Sequence, residues 1–325
     1  MEYNLDFTAI EGLGQTTSIF NLFLLDVINN YPKLRVLSPD MSYGARLERF
    51  KAFYPNHFIN VGIAEQNLIG VSAGLTSEGY KCVAIAQATF ITMRCYEQVR
   101  QYMSYMEYPI ILIGLNSGLS MQFMGNTHYA LEDIAILRCL PNMVVMSPAD
   151  EAESVLAFDA ALKSNRPTYI RLSGNTGLPS VYTSIFDFSI GRANVIKDGS
   201  DIAIFATGAM VAVVRAAVEY IENELNLSVR IVDVHTIKPL DLEQINLCRN
   251  CKMIVSVEEH HITGGLGSAI SDYIAELGHF PFLYRLGVVD DYLLVGDYQY
   301  LLRQNRLIPE MVAEDIIAKY KMYNE

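Results

Sequence analysis

The chain has 325 residues, of which 51% are hydrophobic and 18% charged, and its formal net charge is −12. That length exceeds one ordinary core and predicts two domains. An acidic chain without a basic stripe excludes nucleic acid and anionic membrane surfaces as partners, because phosphate contacts need grouped Lys and Arg.

A low charged fraction leaves little surface to solvate and points to extensive subunit contacts. The start, MEYNLDF, is acidic and lacks the positive and apolar regions of a signal peptide. No apolar run approaches the roughly 18 residues that span a bilayer. Five cysteines, an odd number, fit a reducing cytoplasm. Cys82, Cys95 and Cys139 lie in apolar runs and are expected in the core. Cys248 and Cys251 form a lone CxxC with no second pair to complete a zinc site.

Residues 60–75, NVGIAEQNLIGVSAGL, carry a single ionisable group, Glu65. Leu68, Ile69, Val71 and Leu75 follow at helical spacing, so Glu65 stands near a helix start. It is either a first-turn acid favouring the helix dipole or a desolvated carboxyl that holds and passes a proton.

CVAIAQA (82–88), YPIILIGL (108–115), NMVVMSP (142–148) and PTYIRLSG (167–174) are continuously apolar, as parallel strands covered on both faces require. Helical patterns at 90–106, 129–139 and 149–164 lie between them. Phe90 and Tyr96 are ordinary core aromatics by type. Phe90 opens its helix directly after a strand end and is the better placed for a ligand. His128 follows a Gly-Asn-Thr turn after the strand at 108–115, at the sheet edge where ligands bind in open α/β folds. The helix at 149–164 has Ser147 and Asp150 as cap candidates, with Glu151 and Glu153 in its first turn.

Residues 175–199 are rich in Gly, Pro and Ser and interrupt the pattern. A second strand–helix series follows, with strands at 201–208, 229–237, 252–259 and 280–287. The expected fold is α/β: two consecutive doubly wound domains, each a mainly parallel sheet flanked by helices. The boundaries are 1–178, a linker at 179–199, and 200–325. GGLGSAI (264–270) follows a strand and opens a helix, but lacks the third glycine of a dinucleotide loop. His260 and His261 before it are expected in a loop that contacts another subunit.

Taken together, NVGIAEQN, ATF…CYEQVR, GNTHYALEDIAILRCLPNM, SPADEAESV, DVHTIKPLD and VSVEEHHITGGLGSAI resemble transketolase and deoxyxylulose-phosphate synthase. The likeness covers nearly the whole chain but only that family's pyrimidine-binding and C-terminal domains. The family's Gly-Asp-Gly motif, which holds thiamine diphosphate through Mg²⁺, is absent from this sequence. The resemblance therefore implies the C-terminal half of a split transketolase. An N-terminal partner subunit would supply the diphosphate and Mg²⁺ site, in a heterotetramer with two copies of each chain.

By the same resemblance, Glu65 bonds a ring nitrogen of the aminopyrimidine and favours its imino tautomer, desolvated by Ile63, Ala64, Leu68 and a covering partner. Phe90, Met93 and Tyr96 surround that ring, and Asp40 lies near the cofactor. His128 contacts the donor's reacting hydroxyl and carbonyl.

The sequence departs from the family at the substrate. A phosphate-binding histidine and arginine are replaced by Asn116 and Gly174, and an acidic reader of donor hydroxyls by Met124. The expectation is a two-carbon ketol transferase of carbohydrate metabolism with a non-standard substrate. The rivals are the β-subunit of a 2-oxoacid dehydrogenase, a non-catalytic interaction subunit, and a nicotinamide dehydrogenase resting on the glycine loop.

Overall fold

The computed structural model describes residues 10–174, 176–184 and 186–324; MEYNLDF lies outside them. The strands, in chain order, are β1 (Leu34–Ser38), β2 (Phe58–Asn60), β3 (Lys81–Gln87), β4 (Ile111–Ser117), β5 (Val144–Met146), β6 (Thr168–Ser173), β7 (Asn194–Lys197), β8 (Ile202–Ala206), β9 (Val229–Asp233), β10 (Thr236–Lys238), β11 (Met253–His261) and β12 (Phe282–Val288). They form two sheets, ordered β10-β5-β6-β4-β3-β1-β2 and β12-β11-β8-β9-β7. All pairings are parallel except β10 with β5 and β7 with β9. The α/β expectation of two mainly parallel sheets flanked by helices holds.

Alternation along β3 explains why its sequence is apolar throughout. Val83 and Ile85 join one cluster, with Phe20, Phe23, Val155 and Phe158. Cys82, Ala84 and Ala86 join the opposite one, with Leu68, Ile91, Val99 and Ile134. A strand covered on both faces has no wet side to mark with charge. The second sheet repeats this: Ile202 and Ile204 pack with Val214 and Ile316, while Ala203 and Phe205 pack with Ile245 and Ile270.

Three expectations need correction. The run at 229–237 is not one strand. It ends at Asp233, and Thr236–Lys238 crosses to pair antiparallel with β5 of the first sheet. His260 is not in an exposed loop; it lies near the end of β11, fully buried. Its Nδ1 donates to the His261 carbonyl at 2.7 Å, and burial lowers its pKa to about 4, so it is a neutral packing residue. Cys139 is exposed rather than in the core, while Cys82 and Cys95 are buried as expected.

The segment read as linker contains β7, an antiparallel edge strand beside β9. The Asp150 carboxylate holds this segment to the first sheet's helices. Oδ1 caps the helix Glu151–Lys163 by accepting from Glu153 N at 2.9 Å. Oδ2 accepts from Val181 N and Tyr182 N at 2.7 and 2.6 Å. Ser147, the other cap candidate, has no partner for its buried hydroxyl among the described residues.

A buried clamp joins the halves. Arg171 on β6 donates from Nε to Asp133 Oδ2 at 2.9 Å. Its Nη2 donates to the carbonyls of Ala130 and Glu259 at 3.0 and 2.9 Å. Arg171, fully inside, therefore serves to join the two halves.

Candidate functional site

Asp40, Glu65, Phe90, Asn116 and His128 come from different stretches of sequence, yet each follows or ends a strand of the first sheet at its carboxyl edge. Doubly wound sheets collect ligand-binding groups there, because the loops between strand ends and helix starts diverge at that edge.

Glu65 opens the helix Glu65–Ser77 and is 5% exposed. Leu68 and Ile69, one turn on, are fully buried and fix the helix on the sheet. Each such burial contributes about 1.5–3 kcal/mol. The carboxylate accepts from Arg94 Nη1 at 3.1 and 3.0 Å. The Arg94 guanidinium lies over the Phe90 ring, 4.1 Å from its centroid. Phe90 meets the His128 ring edge-on, with centroids 5.2 Å apart. Glu65, Arg94, Phe90 and His128 thus form one contiguous chain of contacts. Of the three residues expected around Glu65, Leu68 is buried, whereas Ile63 is 81% exposed and free to be covered.

Phe90 begins a wide-turn helical segment, Phe90–Arg94, which Cys95 interrupts before a second one at Val99–Tyr105. Widened turns of this kind re-aim side chains and recur at functional sites. Met93 is exposed at this point. The Tyr96 hydroxyl donates to the Ile136 carbonyl at 2.9 Å. Burial, together with Cys139, pushes its phenol up to about 12.

His128 stands on a closed loop. Gly118 and Ala130 exchange backbone hydrogen bonds of 3.0 and 3.1 Å that shut its base. Thr127 Oγ1 lies 2.9 Å from His128 Nδ1. The second half braces the loop twice. Leu119 N donates to Glu259 Oε1 at 2.6 Å, and Asn126 bonds Leu293 through both its amide atoms. Met124 and Phe123 are exposed on the same loop.

Asp40 has a left-handed backbone, φ 62°. Asn60 fixes it reciprocally, donating to Asp40 Oδ1 at 2.9 Å and accepting from Asp40 N at 3.0 Å. Asn116 sits at the end of β4 against Gly174. A Cβ on Gly174 would come within 2.8 Å of Asn116 Oδ1, so the two fill one another's space. A cavity of about 230 Å³, lined by Gly14, Asp150, Glu151, Ser173 and Gly174 among others, includes no other residue named for the site.

The glycine loop at 264–270 is already satisfied. Glu258 accepts from Leu266 N and Gly267 N at 2.7 and 2.8 Å, at the start of the helix Leu266–Leu277. A Cβ on Gly265 would strike that carboxyl group. The glycines admit an internal acid where a pyrophosphate would otherwise sit, which removes the footing of the nicotinamide reading.

Sequence reasoning did not single out Arg94 or Asn126. Arg94 lies four residues after Phe90, and a cation one turn beyond an aromatic facing a lone acid was the available signal. Asn126 gave none, because its partner Leu293 is remote in sequence.

Comparison with known proteins gives these residues a context. The pyrimidine-binding domain of transketolase matches residues 14–176, and the transketolase C-terminal domain matches residues 191–292. The chain belongs to the transketolase family. It is 33% identical over 293 residues to a subunit of the apulose-4-phosphate transketolase of Actinobacillus succinogenes, covering 89% of this chain and 93% of that protein. It is 32% identical over 279 residues to the 6-deoxy-6-sulfo-D-fructose transketolase subunit SqwH of a Clostridium species, covering 86% of each. Among solved structures, a split gene transketolase described as an inactive beta4 tetramer superposes with a TM-score of 0.83 at 33% identity, covering 94% of this chain and 97% of that one. The fold and family inferred from the sequence are therefore those of the molecule, and its function is of the transketolase type, dependent on thiamine diphosphate.

Proposed function

We propose that this chain is the C-terminal subunit of a two-chain transketolase that moves a two-carbon ketol unit from a ketose to an aldehyde. The observation that carries the reading is the Glu65 carboxylate, shielded from water at the sheet's carboxyl edge and linked through Arg94 to Phe90 and His128. The donor set fits an aminopyrimidine: a buried acid to meet a ring nitrogen, and an aromatic face to lie against the ring. When bound, thiamine diphosphate supplies the nucleophilic carbon that opens and remakes the bond beside a carbonyl.

This chain's residues then divide the remaining work. Glu65 holds a proton against the ring nitrogen, with Phe90, Met93 and Tyr96 around the ring and Asp40 at its border. His128 Nε2 faces the donor's oxygens and steadies charge that develops on them. The N-terminal partner supplies the diphosphate and Mg²⁺ ligands. It covers Ile63 and completes desolvation of Glu65. The assembly is a heterotetramer with two copies of each chain, working in the cytoplasm. Within the chain, residues 1–178 form the pyrimidine-binding domain and 200–325 the C-terminal domain, joined by 179–199.

The substrate is non-standard. Asn116 and Gly174 fill each other's space where a cationic pair would grip a phosphate, and Met124 cannot read a hydroxyl. Losing a charge-assisted contact costs about 1.5–3 kcal/mol. Names of the relatives support a specialised sugar as substrate, since they specify apulose 4-phosphate and a sulfofructose.

The decisive experiment is Glu65→Ala in the purified two-chain complex. Ketol transfer is expected to vanish while the two chains still co-purify; full turnover by the variant sinks the assignment. Wild-type complex given xylulose 5-phosphate and ribose 5-phosphate should turn over slowly, and brisk turnover overturns the substrate reading.

A further inference from the structure

Glu65 is buried, yet both its oxygens are taken by one flexible side chain. Arg94 Nη1 donates to Oε1 and Oε2 at 3.1 and 3.0 Å, and half of the Arg94 side chain remains open to solvent. The guanidinium is planar, lies over Phe90 with its carbon 4.1 Å from the ring centroid, and points N–H bonds at the acid. An aminopyrimidine in the proposed site makes the same two contacts: one face against Phe90 and one ring nitrogen toward Glu65. Two groups cannot make them at once.

We infer that Arg94 is a positioning residue that fills the pyrimidine seat of the cofactor-free chain and yields Glu65 to the entering cofactor. This rests on the function proposed above and adds a competitor to it. The pairing answers a physical problem of the empty site, because a buried carboxylate without a partner is costly and seeks another arrangement. Arg94 holds the carboxylate toward the Phe90 side, and cofactor binding has to break that contact. The helix supports the exchange: Gln66 Nε2, beside Glu65, donates to the Arg94 carbonyl at 3.2 Å. The backbone can thus stay in place while the guanidinium swings out.

The test is calorimetric titration of the two-chain complex, stripped of cofactor, with thiamine diphosphate at fixed Mg²⁺. Arg94→Gln removes the competing charge and should lower the cofactor Kd about tenfold, whereas Arg94→Lys keeps the charge and should stay within about threefold of wild type. A Kd for Arg94→Gln that equals or exceeds the wild-type value overturns the inference. A crystal structure of the cofactor-loaded wild-type complex tests it without any variant. Arg94 Nη1 should stand beyond hydrogen-bond reach of Glu65, and an intact pair overturns the inference. If the wild-type complex binds no thiamine diphosphate, the proposed function fails and this falls with it. If it binds, needs Glu65, and Arg94→Gln binds no tighter, only the role of Arg94 is lost.

Discussion

Asn126 and Leu293 stand 167 positions apart and exchange two hydrogen bonds: the amide Nδ2 donates to the Leu293 carbonyl at 2.7 Å, and Leu293 N donates to Oδ1 at 2.9 Å. A strand-like link of this kind ties the loop that carries His128 to the second half. Gly125, whose carbonyl accepts from His128 N at 2.9 Å, approaches Val295 so closely that a Cβ would lie 2.8 Å from its Cγ1. The second half thereby sets where the His128 ring sits.

Asn126→Ala should therefore lower kcat/KM roughly ten- to a hundred-fold, the range expected when a reacting group is misplaced by about 1 Å. Global stability should change by less than about 1 kcal/mol, since the contact is exposed. Steady-state kinetics beside a urea titration separates the two; equal activity of the variant means that the link does not place His128.

The Arg171–Asp133 pair makes a sharper demand on stability. Asp133 also accepts from Tyr169 OH at 2.6 Å, and all three side chains are buried. Asp133→Ala leaves a guanidinium without its counter-charge and should cost about 3–5 kcal/mol in a denaturant titration. Arg171→Met combined with Asp133→Leu should lose less than Asp133→Ala alone, because neither member of the pair is left inside without the other.

A buried pair of acids, Asp233 and Glu153, gives a pH dependence. Tyr182 OH donates to Asp233 Oδ2 at 2.7 Å, and Asn194 Nδ2 reaches Glu153 Oε1 at 3.3 Å. Burial, above all, raises Asp233 to about 7, and burial with the Asp233 charge raises Glu153 well above its ordinary range. A carboxyl raised on folding holds more protons folded than unfolded. Its contribution to stability therefore falls as pH climbs from about 4 to about 7 and stays low above that. Asp233→Asn removes this penalty. The variant should melt higher than wild type at pH 8 and show no advantage at pH 4. An advantage that is the same at both values would refute the assignment of the titration to this residue.

Gly265 offers a packing test. A methyl there meets the Glu258 carboxyl group, which itself caps the helix Leu266–Leu277. Gly265→Ala should destabilise by about 1–3 kcal/mol through overpacking. Gly278→Ala, with open space around it, should be strained only by its positive φ, 62°. Thermal melts of the two variants should rank in that order.

Much of this architecture was legible because physics writes it locally. β3, β4, β6, β8 and β11 show as apolar runs, since covering a strand on both faces removes every polar alternative. β1 and β2 did not show: LRVLS carries Arg35, and FIN is three residues long at an edge. The capping acid Asp150 was visible from its place before the helix. Its second duty, holding Val181 and Tyr182, needed the fold. His260 misled because adjacent histidines look like a loop pair, whereas residues at the end of β11 alternate between two covered faces. In the site, Glu65 was conspicuous as the lone acid of its segment. Arg94 lay one turn beyond Phe90, but that it reaches back to Glu65, 29 positions earlier, needed the fold.

β10 has a consequence for the molecule's mechanical unity. Thr236–Lys238 reaches back from beyond the second sheet's β9 to border β5, and the Lys238 ammonium donates to the carbonyls of Arg138 and Leu140. A protease nick between Val181 and Arg192 would cut the polypeptide without parting the pieces, because each fragment would remain clasped to the other by this borrowed ribbon. Leu119, Tyr129 and Leu131 of the first half pack into the second sheet's cluster, and Ala269 of the second half into the first sheet's, so the chain is stitched as one body.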